Sequence, residues 1–118
     1  MPPRMDHVAL LRSIRFHDLP VEGFGFSPAP TKTFRLDFAT YVEERKDYDH
    51  WRIEFDHIER MTVDGFTIDH QADFGIFSFD HSIGALFEGR FVFLTGSGKP
   101  DMTIAFTSKN FRIERLNA

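Results

Sequence analysis

The stretch from Trp51 to Gly65 constrains the fold more than any other part of the chain. Apolar residues alternate with charged ones from Trp51 to Phe55, which is typical of a β-strand with one buried face and one solvent-facing side. The next apolar residue is Ile58, so the alternation changes parity. A bulge near Asp56-His57 would return both halves to the same core face. The segment therefore predicts a long, bent strand that ends at its terminal Asp-Gly turn signal.

Similar alternation along the rest of the chain predicts further short strands separated by loops. A helix from His7 to about Ser13, capped by Asp6, precedes them, although a strand over 8–16 is the competing interpretation. The further predicted strands cover 22–26, 33–41, 66–68, 73–80, 86–95, 102–107 and 111–113. Seven or eight strands with few helices favour an all-β fold. We expect an antiparallel two-sheet sandwich or a partly open barrel with a short N-terminal helix.

Phenylalanine dominates the apolar composition and must supply the core. The chain has 118 residues, which is the size of one domain, so 1–118 is predicted to be a single β-rich domain. It contains 15 phenylalanines and no cysteine. Burying about ten of the rings at roughly 2 kcal/mol each would contribute on the order of 20 kcal/mol. Such a core needs neither a disulfide nor a structural metal.

Charge and hydropathy narrow the classes of partner. The net charge is −4, with 14 basic and 18 acidic residues spread along the chain, so no basic stripe is available for nucleic acid. No run of about 18 apolar residues occurs, and the N-terminus lacks an apolar stretch of signal-peptide length. We therefore expect a soluble cytoplasmic protein with no nucleic-acid or membrane partner.

Each of the six histidines adjoins an aspartate, which makes these pairs the candidate functional residues. The candidate ligand-binding residues are His17, Asp18, His50, His57, His70 and His81. Imidazole and carboxylate together suit zinc, iron or manganese, and carboxylate neighbours tend to retain the histidine proton. Adjacent strand residues point to opposite faces, however, and the spacings of 7, 13 and 11 among the last four histidines match no metal motif. We therefore expect no metal or cofactor. The pairs have an alternative structural explanation, because Asp and His at strand ends cap backbone groups.

Motifs for nucleophilic catalysis are missing from the sequence. No Gly-x-Ser-x-Gly elbow occurs. The segment Gly96-Ser97-Gly98-Lys99 lacks the spacing and the following helix of a phosphate-binding loop, so it predicts a hairpin turn. No catalytic residue is assigned, and a non-enzymatic role is favoured over an enzyme that uses one histidine as general base.

Two motifs carry a resemblance over roughly the first half of the chain. They are Phe16-His17-Asp18-Leu19 and the later Trp51-x-Ile53-x-Phe55-x-x-Ile58. The chain resembles small bacterial β-rich proteins of unknown function that begin with a short helix and an aromatic-His-Asp segment. Some of these proteins are similar to immunity proteins that neutralise toxins of neighbouring bacteria. The resemblance implies a cytoplasmic binding protein without catalysis.

The leading hypothesis is thus a non-enzymatic interaction module with a protein partner. The charged loop Glu43 to Asp49 would complement a basic partner such as a toxin. The alternative is a small-ligand or metal-binding β-barrel, whose pocket is lined by phenylalanines and entered past His50, His57, His70 or His81. Exposed strand edges would favour a homodimer.

Overall fold

A computed structural model describes residues 5–65, 74–95 and 100–117. One helix is followed by six strands over these ranges. They are α1 (Met5–Ser13), β1 (Leu19–Ser27), β2 (Thr33–Val42), β3 (Asp47–Asp64), β4 (Phe74–Ile83), β5 (Phe87–Thr95) and β6 (Pro100–Arg115). The predicted strand over 66–68 lies outside the described residues.

The six strands form one antiparallel sheet that closes on itself as a barrel, in the order β1-β2-β3-β6-β5-β4. Closure depends on a short contact, in which Leu19 and Pro20 of β1 pair with Ile76 and Gly75 of β4. The mostly-β, antiparallel fold with an N-terminal helix is confirmed. The two-sheet sandwich is not confirmed, because all six strands belong to a single hydrogen-bonded ring.

The predicted bend in the central strand is confirmed. β3 runs without interruption to Asp64, and His57 adopts a φ of 54° within it. Phe55 and Ile58 are both buried while His57 between them is exposed, so the strand changes parity at this point. The pairing with β6 also shifts register between Ile58 and Arg60. Ile58 is therefore buried like Phe55, and Met61 packs against the core, whereas Val63 is 52% exposed.

The last two predicted strands are one strand in the structure. We expected Ser108-Lys109-Asn110 to separate them. Ser108 and Asn110 instead pair with Ile58 and Asp56 across β3. Ser108 is fully buried, and its hydroxyl donates a hydrogen bond to the Asn110 carbonyl at 3.3 Å. β6 changes parity opposite the bend in β3, so the two strands bend together.

Strand β4 has a bulge that alternation alone did not reveal. The sequence places Phe74 and Ile76 on one face and Phe77 and Phe79 on the other. The register with β5 shifts between Ile76 and Ser78. Phe79 consequently stacks on the buried Phe91, with ring centroids 3.9 Å apart. Phe74, Ile76 and Phe79 therefore all contribute to the same core, whereas Phe77 lies at the bulge.

The N-terminal segment is helical, so the competing strand over 8–16 is wrong. The helix begins at Met5, which places Asp6 in its first turn, where a carboxylate complements the helix dipole. Val8 and Leu11 are buried against the barrel interior. On the other side, His7 Nδ1 accepts a hydrogen bond from the backbone N–H of Ile113 in β6 at 3.1 Å. The helix therefore completes the core beside the short β1–β4 contact.

Aromatic rings fill the barrel, as the composition predicts. Nine of the described phenylalanines are buried, namely Phe16, Phe34, Phe38, Phe55, Phe87, Phe91, Phe93, Phe106 and Phe111. Tilted and edge-on ring pairs predominate around Phe55, and such geometries are favourable for aromatic quadrupoles. Among the described residues, no helix has the length and apolar character needed to cross a membrane.

Candidate functional site

The predicted histidines lie at separate places on the barrel, except that two of them share one groove. His17 and His81 line the same groove between α1 and β4. His50 lies on β3, where its Nδ1 is 2.6 Å from Oε1 of Glu22. His57 is exposed at the β3 bend, and His70 lies outside the described residues. Across 5–65, 74–95 and 100–117, no three acidic or histidine side chains gather as a metal site would require.

His17 and Asp18 fix the entry of the chain into β1. The Nδ1 N–H of His17 donates a hydrogen bond to the carbonyl of Phe77 in the β4 bulge, with a distance of 2.7 Å. Asp18 has a φ of 66°, and its backbone N–H donates to the Ile76 carbonyl at 2.8 Å. The pair thus extends the short β1–β4 contact by two hydrogen bonds. A ligand-binding role for these two residues stays a prediction.

His81 lies on the core-facing side of β4, near one end of the barrel. Its ring centroid is 5.0 Å from that of Phe79 and 5.8 Å from that of Phe87. The groove beside it has a volume of about 360 Å³, and α1 contributes Arg12 to its wall. His81 therefore meets an apolar surface on one side and a cation on the other.

We expect His81 to make folding sensitive to mild acid. Burial lowers the pKa of His81 below its ordinary value, and the positive charge of Arg12 adds to this effect, while Asp80 opposes it. As the pH falls below about 6.5, the unfolded chain takes up a proton at this site before the folded chain does. The free energy of unfolding should therefore decrease as the pH falls from about 7 through the lowered pKa. His81→Phe should flatten this decrease in urea unfolding measured at several pH values.

The matched control for His81 is His57→Asn. It removes an exposed histidine, and asparagine tolerates the positive φ at that position. This variant should retain the pH dependence of the parent protein. An unchanged profile in His81→Phe would contradict the assignment of the acid sensitivity to the half-buried His81 ring.

A pair of tyrosines stands at the end of the β2–β3 hairpin. Tyr41 and Tyr48 face each other across the two strands, with ring centroids 5.2 Å apart, and are 50% and 42% exposed. Leu116 follows β6, and its N–H donates to the His50 carbonyl at 2.7 Å; its side chain is 47% exposed. We call Tyr41 and Tyr48 the tyrosine patch. The loop predicted as a contact surface, Glu43 to Asp49, contains Tyr48, but it was predicted from its charges, and Tyr41 lies outside it.

Among the described residues, some of the carboxylates near the tyrosine patch are paired with arginines, and others are not. Asp49 is 8% exposed and forms ion pairs with Arg45 and with Arg115, the latter at 3.6 Å. Arg45 therefore offsets a carboxylate inside the structure rather than those at the tip. Glu43, Glu44 and Asp47 are exposed. The hairpin tip presents these three carboxylates against the single charge of Lys46, which makes it acidic.

Ion pairs cover the outer face of β2, β3 and β6. Arg52 binds both oxygens of Asp37 at 2.8 and 3.2 Å, and Arg112 binds Glu54 at 2.9 Å. These hydrogen bonds raise the pKa of Arg52 and that of Arg112 above the ordinary value. Arg35 stands in the same rows, directly opposite Glu54. Its Nε lies 3.6 Å from Oδ2 of Asp37, which is an ion-pair distance, but this N–H has no hydrogen-bond acceptor among the described residues.

Comparisons of the chain with protein-family models, with curated proteins and with solved structures found no match.

Proposed function

We propose that the protein is a non-catalytic protein-binding module that contacts its partner through the tyrosine patch. The observation that supports this most is the exposure of two touching tyrosine rings inside a rim of carboxylates. Tyrosine combines a large apolar ring with a polar tip, and it is enriched at the energetic centres of protein interfaces. Isolated exposed apolar residues are ordinary, whereas an adjoining set of this kind is more typical of a contact site.

The hairpin is also held in one conformation before any partner arrives. The β2–β3 pairing continues to the last pair, Val42 opposite Asp47. Arg45 bridges the turn to the buried Asp49, and the Asn117 side chain donates to the Tyr48 carbonyl at 3.1 Å. Such preorganisation reduces the entropy lost on association.

The acidic rim indicates a partner with a basic contact surface. Carboxylates at a rim mainly accelerate association and select against acidic proteins. This chemistry agrees with the resemblance to immunity proteins, whose partners are toxins. A toxin with a basic active face is the partner class that we propose.

A library of random phage-displayed peptides tests the surface even while the partner is unidentified. Peptides selected on the parent protein should be rich in Lys and Arg together with an apolar anchor. Their Kd should increase at least tenfold for Tyr41→Ser/Tyr48→Ser. Glu43→Lys/Glu44→Lys should slow their association, with the largest effect at low salt.

Two matched variants control for charge and for aromatic content. Asp80→Lys/Glu88→Lys changes the net charge by the same amount on exposed residues of β4 and β5. Phe26→Ser removes a different exposed ring, which is 51% exposed. Both should bind the selected peptides like the parent. Equal binding by the hairpin variants and the parent, or the absence of selected peptides, would overturn the proposal.

A further inference from the structure

A second concave surface lies on the outer wall of the barrel, at the opposite end of β2 from the tyrosine patch. It has a volume of about 340 Å³ and is bounded by the loop after β1 and by side chains of β2 and β3. Its lining includes Gly25, Phe26, Pro30, Thr31, Arg35 and Glu54. We call it the Arg35 groove.

Arg35 is the cation of this groove, and the nearby carboxylates are already held by other arginines. Its Nε is buried without a hydrogen-bond acceptor among the described residues, and it lies 3.6 Å from Oδ2 of Asp37. Asp37 is bound through both oxygens by Arg52, and Glu54 is bound by Arg112. Arg35 therefore shares Asp37 with Arg52, and its Nε–H is left without a hydrogen-bond acceptor among the described residues.

The Arg35 guanidinium lies beside Gly25 of β1. A Cβ on Gly25 would lie 3.4 Å from Nη2 of Arg35 and 3.7 Å from its Cζ. The two residues are directly paired across β1 and β2. The guanidinium thus lies against the β1 backbone, with 42% of the Arg35 side chain exposed. A planar guanidinium held in this way suits recognition of an oxyanion.

The remaining wall of the groove combines hydroxyl and apolar groups. The hydroxyls of Thr31 and Thr33 lie 3.3 Å apart, and that of Ser27 donates to the Ala29 carbonyl at 3.0 Å. Pro30 lines the groove beside the exposed ring of Phe26. Hydroxyls can reorient to donate to an anion, while the ring and the proline offer an apolar contact.

We propose that the Arg35 groove binds a small organic oxyanion, whose carboxylate or phosphate pairs with Arg35 while its apolar group packs on Phe26 and Pro30. This site is separate from the tyrosine patch, so a test of this proposal does not decide the proposed function. Benzoate and phenyl phosphate distinguish the two oxyanions, and benzyl alcohol serves as the uncharged control.

Titration followed by ¹H–¹⁵N NMR tests the proposal on the whole chain. The Nε–H signal of Arg35 and the backbone signals of Gly25 and Thr31 should shift and saturate with at least one of the two anions. Benzyl alcohol should leave the Arg35 signal unchanged. The Kd should rise at least tenfold in Arg35→Gln. Arg90→Gln, at an exposed arginine on β5, should bind like the parent.

Several outcomes would overturn the assignment. Equal Kd values for the parent and Arg35→Gln would exclude Arg35 as the anion ligand. Shifts that fail to saturate, or that spread over all Lys and Arg signals, would indicate non-specific ion binding. Equal affinity for inorganic phosphate and phenyl phosphate would exclude the contact with Phe26 and Pro30. The melting temperature of Arg35→Gln is the control for folding. If it equals that of the parent, any loss of binding in this variant is local.

Discussion

Phe55→Ala should lower the free energy of unfolding by about 3–5 kcal/mol. Phe55 is fully buried at the centre of the aromatic core. Its ring centroid lies between 4.5 and 6.3 Å from those of Phe34, Phe79, Phe87, Phe91, Phe106 and Phe111. The surrounding rings belong to several strands of a closed sheet, so they cannot collapse into the space left by the side chain. The cost therefore includes both the lost transfer free energy and the cavity.

Urea unfolding followed by fluorescence measures this effect conveniently. Trp51 is the single tryptophan and is half-buried on the same strand, with its indole N–H donating to Thr40 Oγ1 at 2.9 Å. Phe55→Leu is the matched control, because it retains much of the volume and should cost clearly less than the alanine variant. Equal losses in the two variants would contradict a cavity as the cause. A loss below about 1 kcal/mol for alanine would place Phe55 outside the core.

Alternation predicted most of the strands because the barrel has one buried face and one solvent-facing side. The bend in β3 was predicted, since the parity change is visible between Phe55 and Ile58, but the strand begins at Asp47, within the predicted charged loop, rather than at Trp51. Bulges and turns are harder to distinguish. Residues 108–110 were predicted to lie between two strands, and only their pairing with the bend in β3 shows that they continue one strand. Sheet closure was equally hidden, because two residue pairs between β1 and β4 decide it.

The candidate sites were less predictable than the fold. Adjacent Asp and His residues suggested a single centre, yet strand geometry separates His50 and His57 from the groove of His17 and His81. Arg35 did not stand out in the sequence, because its role depends on which neighbours bind Asp37 and Glu54. Those pairings come from cross-strand register. Residue type alone carries no information about which carboxylate each arginine binds.

Gly89→Ala should be the second strongly destabilising substitution. Gly89 is a buried, core-facing residue of β5. A Cβ at this position would lie 2.5 Å from Cζ of Phe106 and 3.1 Å from Cε1 of Phe79. The Phe106 ring cannot move aside, because its centroid is already 4.5 Å from that of Phe55. We expect a loss of about 3 kcal/mol from overpacking.

A double-mutant cycle separates this clash from a general intolerance of side chains in β5. Phe106→Leu shortens the opposing side chain and should itself destabilise the barrel. When it is combined with Gly89→Ala, the added methyl group occupies part of the space that the ring leaves. The loss in the double variant should therefore be smaller than the sum of the two single losses by about 1 kcal/mol or more. Strict additivity would show that Phe106 does not set the requirement for glycine at this position.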